Sequence, residues 1–262
     1  MQPLTIAVAQ MRSTIGDVEG NAHAIERLLD RTAAEGARML FLPEACLTGY
    51  NRDHAVDIAL PDFAAAVRMV EENAQMRGVA LSYGFVERDE AGGKPFVTQV
   101  LYDGNTRAKY RKSHLGPHER DAFQPGNRLL AAEIAGMRVG VQLCWEGHIP
   151  QIAATLRAQG AEVIAAPFAS GIGGERRLES WNRFLPARAS DNGVYVVACN
   201  ALPAGGIAVY DPKGVCIASY AGDDEMLVTC EFDGVLPRDD VTQPMGGLSY
   251  FDYQRPELYE GA

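Results

Sequence analysis

The sequence predicts an α/β fold in which helices pack outside β-sheets. Short β-branched and apolar runs recur from one end of the chain to the other. Segments with a helical period separate several of them. Two stretches, 84–102 and 205–232, read as hairpins rather than crossovers, the second around the strong turn signal Asp211-Pro212-Lys213-Gly214.

The elements follow in order. Leu4–Gln10 is the first strand. Next comes a helix with Ile25, Leu28, Leu29, Thr32 and Ala33 on one face, Asn21 as its cap and Gly36 as its stop. Met39–Leu42 is a second strand. A helix from about Pro61 to Arg77 carries the stripe Phe63, Val67, Val70 and Ala74. Val79–Val86 and Val97–Tyr102 are the next strands. Met137–Leu143 runs into Cys144, and a helix from Ile149 to Gly160 has Pro150 in its first turn, where a missing N–H is no loss. After the strand Val163–Pro167, a helical pattern spans Glu175 to Asn192, with Leu178, Trp181, Leu185 and Ala189 in register. Pro186 should kink or break it. Val194–Cys199, Ile207–Tyr210 and Leu227–Phe232 complete the strands. The tail, about 245–262, is aromatic and polar with little periodicity, and is expected to pack on the body or on a partner chain.

The length of 262 residues suits one large domain, 1–262, with a substantial core and room for a pocket. A net charge of −10 argues against nucleic acid or an anionic membrane as partner. No apolar run reaches membrane-spanning length, and no basic segment with an apolar core precedes the first strand, so no secretory leader is expected. The five cysteines are odd in number and scattered, without a Cys-x-x-Cys pair. That fits a reducing cytoplasm better than a disulfide framework or a zinc knuckle.

Cys144 ends an apolar strand run just before a helix-start signal. A thiol there stands on a strand-to-helix turn with backbone N–H groups free around it, which suits a nucleophile whose oxyanion must be met. Taken alone, it reads as well as a buried core cysteine. Glu44 follows the strand Phe41-Leu42 and a proline. Desolvation at such a place raises a carboxyl pKa toward that of a base, whereas an exposed loop glutamate has the same local sequence. In Lys109-Tyr110-Arg111-Lys112-Ser113-His114, an extended chain places Tyr110, Lys112 and His114 on one face. A pocketed lysine can meet an oxyanion, while a solvated basic edge strand is the bland alternative. His114, His118 and Glu119 suggest a metal site, but Gly116 and Pro117 spoil the helix and no fourth ligand is evident. No metal and no cofactor are expected. His148 is a second candidate base for Cys144.

These segments, in this order, resemble the nitrilase superfamily of carbon–nitrogen hydrolases. The resemblance rests on Leu-Pro-Glu44 with Gly49-Tyr50, Tyr-Arg-Lys112-Ser-His-Leu, Glu119 with Phe123-Gln-Pro-Gly126, and Cys144-Trp-Glu. It extends to Trp181 with Ala187-Arg-Ala189 and Asn192, Asn200, and Asp211-Pro-Lys-Gly214, and so covers nearly the whole chain. It implies a four-layer α-β-β-α sandwich and a homodimer or larger even assembly. It also implies Glu44 as general base, Lys112 as oxyanion-stabilising cation, Cys144 as nucleophile and Glu119 as a second glutamate positioning Lys112 and substrate. The Trp145 N–H is a further oxyanion donor.

The implied reaction is hydrolysis of a small linear amide through a thioester on Cys144, with N-carbamoyl or nitrile hydrolysis as alternatives. A catalytically silent partner-binding protein is the non-enzyme alternative. Cys-Trp-Glu is similar to the nitrilase motif, but Gly147-His148 departs from it, and the chain is short for that branch. Tyr50, Trp145, Phe168 and Arg176, together with Arg177, are candidates for a substrate pocket. Arginine suits a substrate carboxylate, although a solvated helix start is the more ordinary reading of both arginines.

Overall fold

The computed structural model describes residues 3–233 and Arg255. The expectation for the tail, about 245–262, falls outside the described residues apart from Arg255. Twelve strands are β1 (Leu4–Gln10), β2 (Met39–Phe41), β3 (Ala80–Glu87), β4 (Phe96–Tyr102), β5 (Arg107–Arg111), β6 (Ala131–Ile134), β7 (Met137–Val141), β8 (Val163–Phe168), β9 (Tyr195–Asn200), β10 (Ile207–Tyr210), β11 (Cys216–Tyr220) and β12 (Met226–Phe232). The α-helices are α1 (Val18–Ala34), α2 (Ala65–Arg77), α3 (Pro150–Ala158), α4 (Gly174–Trp181) and α5 (Leu185–Asn192).

The strands form two six-stranded sheets, in the orders β12-β1-β2-β3-β4-β5 and β11-β10-β9-β8-β7-β6. In each sheet three neighbouring strands pair in parallel, and every other pairing is antiparallel. Alternation along the strands assigns the layers. Ile6 and Val8 join Val139, Val141, Val163 and Val197 in a core between the sheets. Ala7 and Ala9 face Ile25, Leu29, Val67 and Val70 of α1 and α2. Ile164 and Ala166 face Ile152, Leu156, Trp181 and Leu185 of α3–α5. The result is the expected four-layer sandwich. With both faces covered, the parallel strands read as continuous apolar runs.

Local details differ from the sequence expectations. The α1 cap is Asp17, whose side chain accepts the Gly20 N–H. Asn21 is buried, bonding the backbone of Thr14 and Leu47 instead. Phe63 precedes α2 and lies exposed beneath the Arg107 guanidinium. The pattern 175–192 is broken into α4 and α5, with Pro186 in the first turn of α5. The strands β6 and β11, the two edges of their sheet, are absent from the sequence expectations. The hairpin around Asp211 and Gly214 joins β10 to β11. β12, however, crosses to the other sheet and pairs with β1, so 205–232 is one hairpin and a crossover.

Candidate active site

The parallel strands β2, β7, β8 and β9 end at one rim, and their loops carry the site, as open α/β sheets dictate. β5 runs in the same direction as β3, because two antiparallel pairings separate them. Lys112, immediately after β5, therefore emerges at that rim too. β5 is itself an edge strand, as its basic sequence suggested. Arg107, Lys109 and Arg111 pair outward with Asp62, Glu71 and Glu87, while Tyr110 turns inward. The chain bends after Lys112, so His114 leaves the face shared by Tyr110 and Lys112 and is half exposed.

Two turns are built in strained backbone. Ala45, next to Glu44, has φ 51°, and Cys144 has φ 49°. Left-handed backbone at non-glycine residues is uncommon and concentrates at functional sites. The Glu44 turn lies directly on β3 at Gly84, where a Cβ would stand 2.6 Å from the Ala45 nitrogen. Cys144 opens a short 3-10 turn, Cys144–His148, in whose first residues helical N–H groups lack intrahelical partners.

Glu44, Lys112, Glu119 and Cys144 are brought together. The Lys112 ammonium, 1% exposed, donates to Glu44 Oε1 at 3.0 Å and Glu119 Oε1 at 2.5 Å. Tyr50 donates to Glu119 Oε1 at 2.7 Å, and the Gly116 N–H donates to its Oε2 at 2.6 Å. The Ala169 N–H, at the end of β8, donates to Glu44 Oε2 at 3.0 Å. Cys144 is close enough to Glu44 for each to influence the other's ionisation.

Burial raises the Glu44 pKa, with Lys112 pulling against it. Burial also pushes the Cys144 thiol up to about 12, helped by the neighbouring Glu44 charge. Burial disfavours the Lys112 ammonium, but Glu44 and the other anions around it more than compensate, so its pKa is raised. Glu119 is held below its ordinary value: burial opposes ionisation, and the Lys112 charge outweighs it. The resting site thus holds a neutral thiol beside a desolvated carboxyl group and a fixed ammonium.

A cleft that reaches Glu44 and Tyr50 has a volume of about 410 Å³ and is walled by Ser13, Ile15, Ala169 and Ser170, among others. Among the described residues the buried Ser13 hydroxyl has no hydrogen-bond partner. The Trp145 indole turns instead to a neighbouring cleft with His114 and Phe123. Phe168 is buried behind the rim against Trp181. Arg176 is exposed on the first turn of α4, whereas Arg177 is buried.

His148 is sandwiched between Trp145 and Phe184, with ring centres 5.4 and 4.2 Å away. Burial, together with Arg188 and Arg177, lowers its pKa. Among the described residues no hydrogen bond links it to Cys144. The suggested metal trio does not converge: His114 bonds Ser113, and Glu119 is committed to Lys112, Tyr50 and Gly116.

Glu146 was legible only as part of a motif. It is fully buried and accepts from Tyr110, from the Ser113 N–H and hydroxyl, and from the N–H groups of His114 and Leu143. A glutamate at the third position of a helical turn, reaching back to the N–H before it, is half of a capping box. That was the available signal.

The sequence model for carbon-nitrogen hydrolase matches residues 5–236. The chain is 28% identical, over 97% of its length, to a nitrilase and fragile histidine triad fusion protein of Caenorhabditis elegans, of which it spans 61%. It is 28% identical to an (R)-stereoselective amidase of a Pseudomonas species, over 88% of this chain and 85% of that one. Its fold matches a mutant of the amidase from Nesterenkonia sp. AN1 in complex with butyramide. The TM-score there is 0.82 at 21% identity, covering 98% of this chain and 95% of that one.

Proposed function

Since the chain belongs to the carbon–nitrogen hydrolase family, we propose that it hydrolyses a small linear amide to a carboxylic acid and ammonia through a thioester on Cys144. The observation that carries this reading is the buried contact of Lys112 with both Glu44 and Glu119, beside the Cys144 thiol. In this reading residues 1–262 act as one hydrolase domain. Glu44 and Lys112 come from one sheet and Cys144 from the other, so neither half holds a complete set.

The thiol proton passes to Glu44 as Sγ attacks the amide carbon. This avoids two adjacent anions, since the carboxylate is neutralised as the thiolate forms. An ammonium has three donors, and Lys112 uses two on its glutamates. The third meets the substrate oxygen as it becomes negative, with the Trp145 N–H as second donor. Glu44 returns the proton to nitrogen as the C–N bond breaks, and ammonia leaves. Water then loses a proton to Glu44 and attacks the thioester. The C–S bond breaks, Sγ recovers the proton, and the acid departs. The compact cleft, and the amidase among the chain's relatives, support a small amide over a bulkier substrate.

The test is ammonia release across amides, N-carbamoyl compounds and nitriles, with intact mass after brief substrate exposure. An acyl adduct on Cys144 and a folded, inactive Cys144→Ala protein are expected. A Cys144→Ala enzyme working at near-native rate would remove the mechanism. Acid formed from a nitrile, with no free amide released and no amide turned over, would overturn the choice of substrate.

A further inference from the structure

The two arginines that open α4 have different fates. Arg176 faces outward, but Arg177 is only 4% exposed. Its Nε donates to the Ile172 carbonyl at 3.0 Å, and Nη2 donates to the Ser170 hydroxyl. The guanidinium carbon stands 5.3 Å from the centre of the Phe168 ring and 5.5 Å from that of Trp181. Gly206 makes room for it: at φ 124° its backbone passes so close that a Cβ would lie 2.8 Å from Arg177 Cγ.

Among the described residues this guanidinium has no carboxylate partner, and Nη1 donates to nothing. Yet it is near the chemistry. Burial lowers its pKa, and negative charge on Cys144 acts against this. Ser170, to which it bonds, walls the same cleft as Glu44. A buried cation without a counter-ion is costly, and two neutral acceptors with two aromatic faces offset only part of that cost. A planar guanidinium with an unused Nη1, bonded to a residue of the cleft wall, is suited to a carboxylate.

We propose that Arg177 binds a carboxylate at the far end of the acyl chain, so that the preferred substrates are monoamides of short dicarboxylic acids. The inference rests on the amide-hydrolase reading above and names its substrate class. The amide carbon sits at Cys144, and the distal carboxylate neutralises Arg177 beside the Ser170 hydroxyl.

The experiment compares monoamides of four- to six-carbon dicarboxylic acids with neutral amides of matched length, including butyramide, by kcat and KM. The native enzyme is expected to favour the anionic series by about a hundredfold in kcat/KM at its best chain length. Arg177→Gln lowers kcat/KM for the anionic series far more than for the neutral series, and through KM, and Arg177→Lys restores part of the difference. No preference at any length, or an Arg177→Gln loss equal for both series, overturns the proposal and leaves Arg177 as a brace for the 170–172 loop.

If Arg177→Gln does not fold, calorimetry on the Cys144→Ala protein decides. Binding of the dicarboxylate product but not of the matched monocarboxylate supports the proposal, and equal or absent binding of the two overturns it. A Cys144 adduct formed from butyramide tests the underlying hydrolase reading separately.

Discussion

Glu146 Oε1 accepts the backbone N–H of Ser113 at 2.8 Å, across 33 residues of sequence. Its Oε2 accepts the N–H of Leu143 at 2.8 Å. One buried carboxylate therefore ties the residue after Lys112 to the residue before Cys144. Glu146→Gln puts an amide donor where both oxygens now accept. It should cost about 2 kcal/mol in a urea titration, and lower kcat more than it changes KM, because cation and thiol lose their common brace. An unchanged kcat would show that the brace does not serve catalysis.

Lys112→Met keeps the bulk of the side chain and removes the charge. Two carboxylates then face each other without a cation, and a like-charge pair retains a proton. Ammonia release should fall by about two to three orders of magnitude, the usual cost of one oxyanion donor. Circular dichroism and gel filtration separate this from unfolding. A loss below about tenfold would assign the oxyanion to other donors.

The thiol pushed up to about 12 makes a clear demand on Glu44. At neutral pH almost no thiolate exists unless a base removes the proton. Native Cys144 should therefore react with an amide-like electrophile such as fluoroacetamide faster than the other thiols. Glu44→Gln should react slowly near neutrality, with a rate rising about tenfold per pH unit into the alkaline range. A labelling rate independent of residue 44 would contradict proton transfer to Glu44.

Away from the site, Glu87 is 2% exposed and receives Lys109, Arg111 and Thr98. Burial works to raise its pKa, but the bonds from Arg111, Lys109 and Thr98 hold it below the ordinary 4.5. Because the folded value is depressed, the unfolded chain binds the proton more readily. The stabilisation is full above 4.5 and is lost as pH falls through the folded value. Glu87→Gln should lower stability by about 3 kcal/mol near neutral pH, and the gap to the native protein should narrow in acid. A gap that stays constant with pH would show that Glu87 acts through packing alone.

Local sequence determined much of this protein. Apolar runs announced the central strands because strands covered on both faces admit few polar residues. Pro150 marked a helix start, because proline at a first turn forfeits no hydrogen bond, and Pro186 marked the break that separates α4 from α5. Asp211 and Gly214 marked a tight turn. Glu44, Lys112 and Cys144 were legible as strand-end residues, and their family resemblance named them together.

Only the tertiary structure decided what depends on distant pairing. It carried β12 to β1 instead of its sequence neighbour, and set Lys112 against a glutamate 68 residues away. It also chose between Arg176 and Arg177. In sequence these are the same residue twice, but one helical step turns a side chain by about 100°. That rotation sends one arginine to solvent and the other beneath the active-site rim. Such choices are set by what the opposite surface offers, and no local window of the chain contains that surface.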